Sequence, residues 1–312
     1  MSELSAFIQE CLASGGLLLA LAATLLLPFV AWMLTRPALA LLRDEGAPRS
    51  KSFVFATLAT APGISFAVGT TTILIGSYHA GCLNWVGGRA IVGTIFMLFT
   101  AFVIRAAVRA YRRHGEVRML RTTSRAPEAR LALAASEAGI DVRRVISEHP
   151  VFCVVGLRKP VVLVSEPALE RLSEAELQAS LAHERAHARH FDQLVMALVA
   201  FFADVFPMPV DDLIERYRIA REFAADRAAL RTVDSLDLAQ AIYRLAVPAK
   251  GTFSAALAER GAAGRIRALL QPDIGHDRRI VRNLSLLIAG QGLAAVTLVA
   301  LLLPLATCRM IV

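Results

Sequence analysis

The chain has 312 residues, 56% of them apolar and 19% charged, with a formal net charge of +8. Soluble domains are roughly 45–50% apolar and about 25% charged, so the composition argues against an ordinary soluble enzyme and for a membrane protein. Length alone allows one or two domains, and the positive charge leaves nucleic acid and lipid both open until its distribution is read.

Four apolar runs are long enough to cross a bilayer, which takes about 20 helical residues. They span Ser14 to Leu34, Phe53 to Ile75, Ala90 to Val108 and Leu284 to Ala306. Arg105 lies near the end of the third, where it can snorkel. The Gly, Ser and Thr of the second suit helix contacts in lipid, and Pro28, Pro62 and Pro304 are tolerable kinks. Buried helices of a large soluble core would not explain four such runs. The first run is too long for a cleavable signal peptide, and the segment before it, MSELSAFIQEC, is acidic rather than basic.

Lys and Arg in short flanking loops set orientation. Arg36, Arg43, Arg49 and Lys51 follow the first span, and only Arg89 lies in the loop after the second. Arg105, Arg109, Arg112, Arg113, Arg118, Arg121 and Arg125 follow the third, with Arg105, Arg109 and Arg112 expected on one helical face. Arg278, Arg279 and Arg282 precede the fourth, and Arg309 alone follows it. The alternation puts both termini outside and the long third segment inside. It also sets the positive charge against the inner leaflet, where anionic headgroups attract it; no nucleic-acid motif stands out. Of the cysteines, Cys11, Cys82 and Cys308 fall outside, where a Cys82–Cys308 bridge would need Cα atoms within about 7 Å. Cys153 falls inside, in an apolar run typical of a packed thiol.

The inner unit, residues 109–282, separates a three-helix region, 1–108, from a last helix and short tail, 283–312. Pro127 starts a short helix, PEARLALAASEAG, that Gly139 stops. IDVRRVIS, VFCVVGL and VVLVS then read as strands, the last two forming a hairpin around GLRKP, in a small sheet that can leave an edge free. LSEAELQASLAHERAHARH is a helix. Ser173 is its N-cap, and Glu176, three residues on, completes a capping box.

On that helix His183 and His187 are four apart and project from one face. Two imidazoles so placed can share one tetrahedral zinc ion. Glu184 stands beside the first, where a carboxylate can take the proton of a water acidified by the metal. A third ligand is expected in LIERYRIAREFAADRAALR. There Glu222 and Asp226 share a face, one able to bind metal and the other to accept a hydrogen bond from a ligand histidine. Glu222 is a better third ligand than His190, which reads as a supporting or surface residue. His79, His114, His149 and His276 carry no role. Between the two site helices, Leu194 to Phe206 is too short to span comfortably and reads as a helix buried in the unit or lying against the membrane.

The stretch VGLRKPVVLVSEPALERLSEAELQASLAHERAHARHFDQL, followed by REFAADRAAL, resembles the M56 peptidase domain of the BlaR1/MecR1 type, signal-transducing membrane metalloproteases of bacteria. The resemblance extends more weakly to the three preceding spans and to GRIRALL, from Gly264 to Leu270. It implies a mainly α integral membrane protein with four transmembrane helices. A cytoplasmic α+β gluzincin-like zinc peptidase domain would lie between helices 3 and 4. It implies one zinc ion per chain on His183, His187 and Glu222, Glu184 as base, Asp226 orienting a ligand and Asp192 as a supporting polar residue. The sequence departs from the family at His190, where a basic residue is usual. It departs also at VFPMP, in place of a Trp-x-Asn-Pro-like block, and at Ala225, often Cys. Only TCRMIV follows the fourth span, so the penicillin-binding sensor domain of the receptors is not expected.

The leading reading is a zinc endopeptidase of the bacterial inner membrane that cleaves a cytoplasmic or juxtamembrane protein in signalling or regulated proteolysis. The substrate would add as a strand to the sheet edge. Tyr217, Arg218 and Arg221 are the nearby candidates for an oxyanion or pocket role. Two other readings remain: a quality-control protease like the M48 proteases that resemble HtpX, and a non-proteolytic signalling scaffold with structural zinc. Structural sites are closed by four ligands, which disfavours the last. Expected partners are a protein or peptide substrate such as a cytoplasmic regulator, the lipid bilayer, and a second copy or separate sensor protein.

Overall fold

The structure, a computed structural model, describes residues 22, 24–26, 28–35, 48–79, 86–206, 208–246 and 255–271. The expected fourth span, most of the first, and Cys11, Cys82, Cys308 and His276 lie outside the described residues. The elements run α1 (Thr24–Thr35), α2 (Pro48–His79), α3 (Val86–Thr122), α4 (Ala129–Ala138), β1 (Val142–Val145), β2 (Phe152–Val155), β3 (Val161–Ser165), α5 (Glu166–Arg171), α6 (Glu174–Arg189), α7 (Asp192–Val205), α8 (Asp211–Ala229), α9 (Ser235–Ala246) and α10 (Ala255–Leu270).

Among the described residues two stretches are long and apolar enough to cross a membrane, Pro48–Ile75 in α2 and Gly88–Thr122 in α3. They contain the second and third expected spans. α3 leaves Phe96, Met97, Leu98 and Ile104 exposed. Such an apolar face suits lipid rather than water.

α2 packs on α7 and α8. Val54, Phe55, Leu58 and Ala59 meet Val199, Val210, Leu213 and Tyr217 in one buried cluster. Farther along, the two helices come so close that a Cβ at Gly63 would lie 1.9 Å from the Phe202 carbonyl oxygen. Glycine is required there by contact, not by its backbone angles. Phe66, Phe102, Val205 and Phe206 close the far end of α7 between α2 and α3. Asp204 fixes that end: Arg109 and Arg113 donate to its carboxylate at 2.7 and 2.6 Å, and Arg105 to its backbone carbonyl at 2.6 Å. The basic face expected as Arg105, Arg109 and Arg112 therefore acts as Arg105, Arg109 and Arg113, a strict spacing of four that keeps all three over one partner. Leu194 to Phe206, expected as a helix buried in the unit or lying against the membrane, packs as α7 on α2 and α3, with Val199 and Val205 buried.

The sheet has the order β1–β3–β2, with β2 antiparallel and β1 parallel to β3. The hairpin forms as read from the sequence. β3 takes the centre because all five of its residues, VVLVS, are buried, the pattern of a strand covered on both faces. α4 ends at Gly139 in the left-handed region, φ 63°. α6 begins with the expected box: the Ser173 side chain accepts from the Glu176 N–H, and the Glu176 carboxylate from the Ser173 N–H. Leu177 and Leu181 pack on the sheet core with Val154, Val162 and Val164, which turns the opposite face of α6 toward α8.

Candidate metal centre

α6 carries His183, Glu184 and His187 as buried residues, each under a tenth exposed. Four-residue spacing sets the two rings on one face, with Nε2 atoms 3.0 Å apart. α8 crosses opposite and brings Glu222 to 3.3 Å from His183 Nε2 and 3.5 Å from His187 Nε2. These three residues form one group able to hold a metal ion. His190 is not in it. It caps the C-terminal end of α6, and its Nδ1 lies 3.3 Å from an Arg49 nitrogen.

The outward ring nitrogens are both taken. His183 Nδ1 lies 2.9 Å from Asp226 Oδ1, and His187 Nδ1 lies 2.6 Å from Asp192 Oδ2. Once a ring is neutral, as metal ligation requires, a carboxylate on Nδ1 keeps the proton there and leaves Nε2 as the lone-pair atom. The two carboxylates expected near the site thus do the same job on different rings. Asp192 is in range because Phe191 adopts the left-handed conformation, φ 53°, which turns the chain sharply between α6 and α7.

Burial would lower the pKa of both histidines, but their carboxylate partners outweigh it. Asp226 and Glu222 raise His183, and Asp192 and Glu222 bring His187 up to about 9. Burial likewise works against Glu222, yet its hydrogen bonds to the two histidines hold it well below the usual carboxylate range. Glu184 goes the other way: burial raises it, and the histidine charges only partly oppose that. The thiol of Cys153, a residue expected to be packed, is pushed up to about 12 by burial and then by Glu184, which makes it a poor nucleophile.

Glu184 reaches the sheet. Its Oε2 accepts from the Val154 N–H at 2.7 Å, and Gln193 donates to the Val154 carbonyl at 3.0 Å. Val154 and Phe152 point their backbone groups away from β3, because Val151 accepts from Ser165 on the inner side and successive residues alternate. The outer edge of β2 therefore runs beside the site, with Glu184 and Gln193 on its Val154 groups and Phe152 at the cavity. A cavity of about 380 Å³ opens there, lined by Phe152, His183, Glu184, Glu222, Ile242 and Arg265, among others. Of the three residues named for an oxyanion or pocket role, Arg218 also lines this cavity. Tyr217 is buried in the packing of α8 on α2, and Arg221 lies 3.5 Å from Glu222.

Three participants were missed by sequence reasoning. Val154 and Gln193 act through a strand edge and a helix start whose juxtaposition is tertiary. Arg265 was visible as part of GRIRALL but had no assigned partner. It donates Nε and Nη2 to the two Asp226 oxygens at 2.7 and 2.6 Å, and its Nη1 lies 3.1 Å from Glu222 Oε2.

Two histidines one helical turn apart, a carboxylate from a second helix, a neighbouring glutamate and an adjacent strand edge make the arrangement of a metallopeptidase. The profile of the family described as BlaR1 peptidase M56 matches residues 82–239, just over half of the chain, and the chain belongs to that family. Among curated proteins none matches it.

Proposed function

We propose that the chain is a membrane-embedded zinc endopeptidase that cleaves a cytoplasmic or juxtamembrane protein, in signal transduction or regulated proteolysis. The observation that carries this reading is two imidazole Nε2 atoms 3.0 Å apart with the Glu222 carboxylate astride them, Oε2 at 3.3 Å from His183 and Oε1 at 3.5 Å from His187, next to Glu184 and a cavity. Zinc bonds of about 2.0–2.1 Å in a tetrahedron set neighbouring donors roughly 3.3 Å apart. The donor set, two imidazoles and one carboxylate, is that of catalytic zinc sites, which keep a fourth position open. His183, His187 and Glu222 would hold the ion, which supplies a Lewis acid that polarises a carbonyl and acidifies water.

The chain's own residues supply the rest. Asp226 and Asp192 hold the rings in the tautomer that ligation needs. Glu184, whose pKa burial raises, takes the proton of the attacking water as general base. It then gives that proton to the leaving amine. A substrate strand laid along the β2 edge would pair through Phe152. Its next residue would meet Glu184 where that side chain now holds the Val154 N–H.

The proposed topology puts three spans in residues 1–108 and the peptidase unit, 109–282, in the cytoplasm. A fourth span lies in 283–312, with both termini outside the inner membrane. The apolar faces of α2 and α3 and the arginines at the foot of α3 support it.

Glu184→Gln tests the function. The variant should keep its metal and lose cleavage by about 10²–10⁴-fold. Comparing protein fragments in cells expressing the full chain and the variant should reveal products made only by the former. A variant that keeps its metal and all biological activity would favour a structural role for the ion.

A further inference from the structure

Arg265 lies on α10, beyond the stretch 82–239 that the family profile matches. α10 packs on α9 and α8, and Gly264, beside Arg265, faces Phe223 of α8 at 3.7 Å from an added Cβ. This brings the guanidinium down onto the metal centre, where its side chain is 17% exposed.

Three geometric facts set its role. First, Arg265 grips Asp226 with both prongs, Nε on Oδ2 and Nη2 on Oδ1. Second, Oδ1 is the same atom that faces His183 Nδ1 at 2.9 Å. An ionised carboxylate oxygen can accept two bonds, so ring and guanidinium share it, and the plane of the carboxylate is fixed by the fork. Third, the remaining nitrogen, Nη1, lies 3.1 Å from Glu222 Oε2, the oxygen facing His183. Arg221, the other cation at Glu222, is at 3.5 Å and points at the opposite oxygen, so it cannot substitute.

We propose that Arg265 is a positioning residue of the metal centre. One guanidinium, delivered by α10, fixes both the carboxylate that orients His183 and the carboxylate that completes the ligating triad. The proposal rests on the metallopeptidase reading above. Without Arg265, Asp226 keeps only its contact with His183, and the two-pronged hold on its plane is lost. Lysine cannot replace it fully, since an ammonium is a point charge without the planar fork.

The test is zinc affinity of the full chain in detergent micelles, by competition with a chromophoric chelator. Loss of an outer partner of a ligand costs about 10–100-fold in metal affinity, and Arg265→Ala should weaken zinc binding by that amount. Added guanidinium ion should restore part of it, sodium at equal ionic strength none, and Arg265→Lys should fall between. Arg267→Ala, an exposed arginine on the same helix, should bind zinc as the unaltered chain does. Thermal melts of the metal-free variants check folding. If Arg265→Ala does not fold, Arg265→Lys decides: weakened binding upholds the proposal, and binding equal to the unaltered chain overturns it. Unchanged affinity in a folded Arg265→Ala also overturns it. Failure of the unaltered chain to bind zinc at all would instead overturn the metallopeptidase reading.

Discussion

Replacing Asp204 by alanine tests how α7, the helix that starts at the metal centre, is held against the apolar helices. The carboxylate is 13% exposed, and the two arginines that donate to it are 54% and 48% exposed. Exposed ion pairs contribute about 0.2–1 kcal/mol, and hydrogen bonds to charged groups about 1.5–3 kcal/mol. One partly buried partner against one half-solvated partner puts each bond near the overlap of those ranges, about 1 kcal/mol. The pair together is then worth about 2 kcal/mol. Arg105 keeps its bond to the backbone carbonyl of residue 204 in the variant, so α7 loses its two side-chain ties but not its helix-end contact. The assay is equilibrium unfolding of the full chain in mixed micelles, run as a double-mutant cycle of Asp204→Ala with Arg109→Ala. A coupling of about 1 kcal/mol is expected. A coupling within the roughly 0.3–0.5 kcal/mol scatter of independent sites would refute the clamp.

Gly63→Ala puts a methyl 1.9 Å from a backbone oxygen of α7 and should destabilise by about 1–3 kcal/mol or more. Gly93→Ala on α3, where a Cβ meets nothing within 4 Å, should be neutral or stabilising by up to about 1 kcal/mol. The unfolding midpoints of the two variants, compared directly, decide. In the metal-free chain, against burial, which lowers it, Asp192 and Glu222 push the His187 pKa up from an ordinary 6.5 to about 9. A raised folded-state pKa gives stability that is complete below about 6.5 and lost as pH rises through about 9. The melting temperature of the metal-free chain should therefore fall over that interval, and Asp192→Asn should flatten the slope. A slope unchanged by Asp192→Asn would show that this carboxylate does not hold the histidine charged.

The site helix was legible because its signals are local. Ser173 and Glu176 announce the start of α6, and the four-residue spacing of His183 and His187 defines one face of it. Glu222 was legible by the same spacing with Asp226, though which of the two ligates needed the crossing of α8 over α6. Asp192 was placed only as a supporting residue by resemblance. Its direct hold on His187 depends on the left-handed turn at Phe191, which an aromatic residue does not advertise. The hairpin of β2 and β3 followed from alternating β-branched runs. The parallel pairing of β1 on β3 did not, since pairing across an intervening strand leaves no mark in local sequence. Arg265 shows the same limit. Its role comes from a fork onto two carboxylates about 40 residues away, and only the packing of α10 reveals them.

X-ray absorption at the zinc edge of the purified full chain tests the central claim most directly. Two imidazole nitrogens and carboxylate oxygen near 2.0–2.2 Å are expected, with the histidine signal reduced in His183→Ala and the oxygen shell altered in Glu222→Ala. A zinc shell without imidazole, or one untouched by either substitution, would contradict the account.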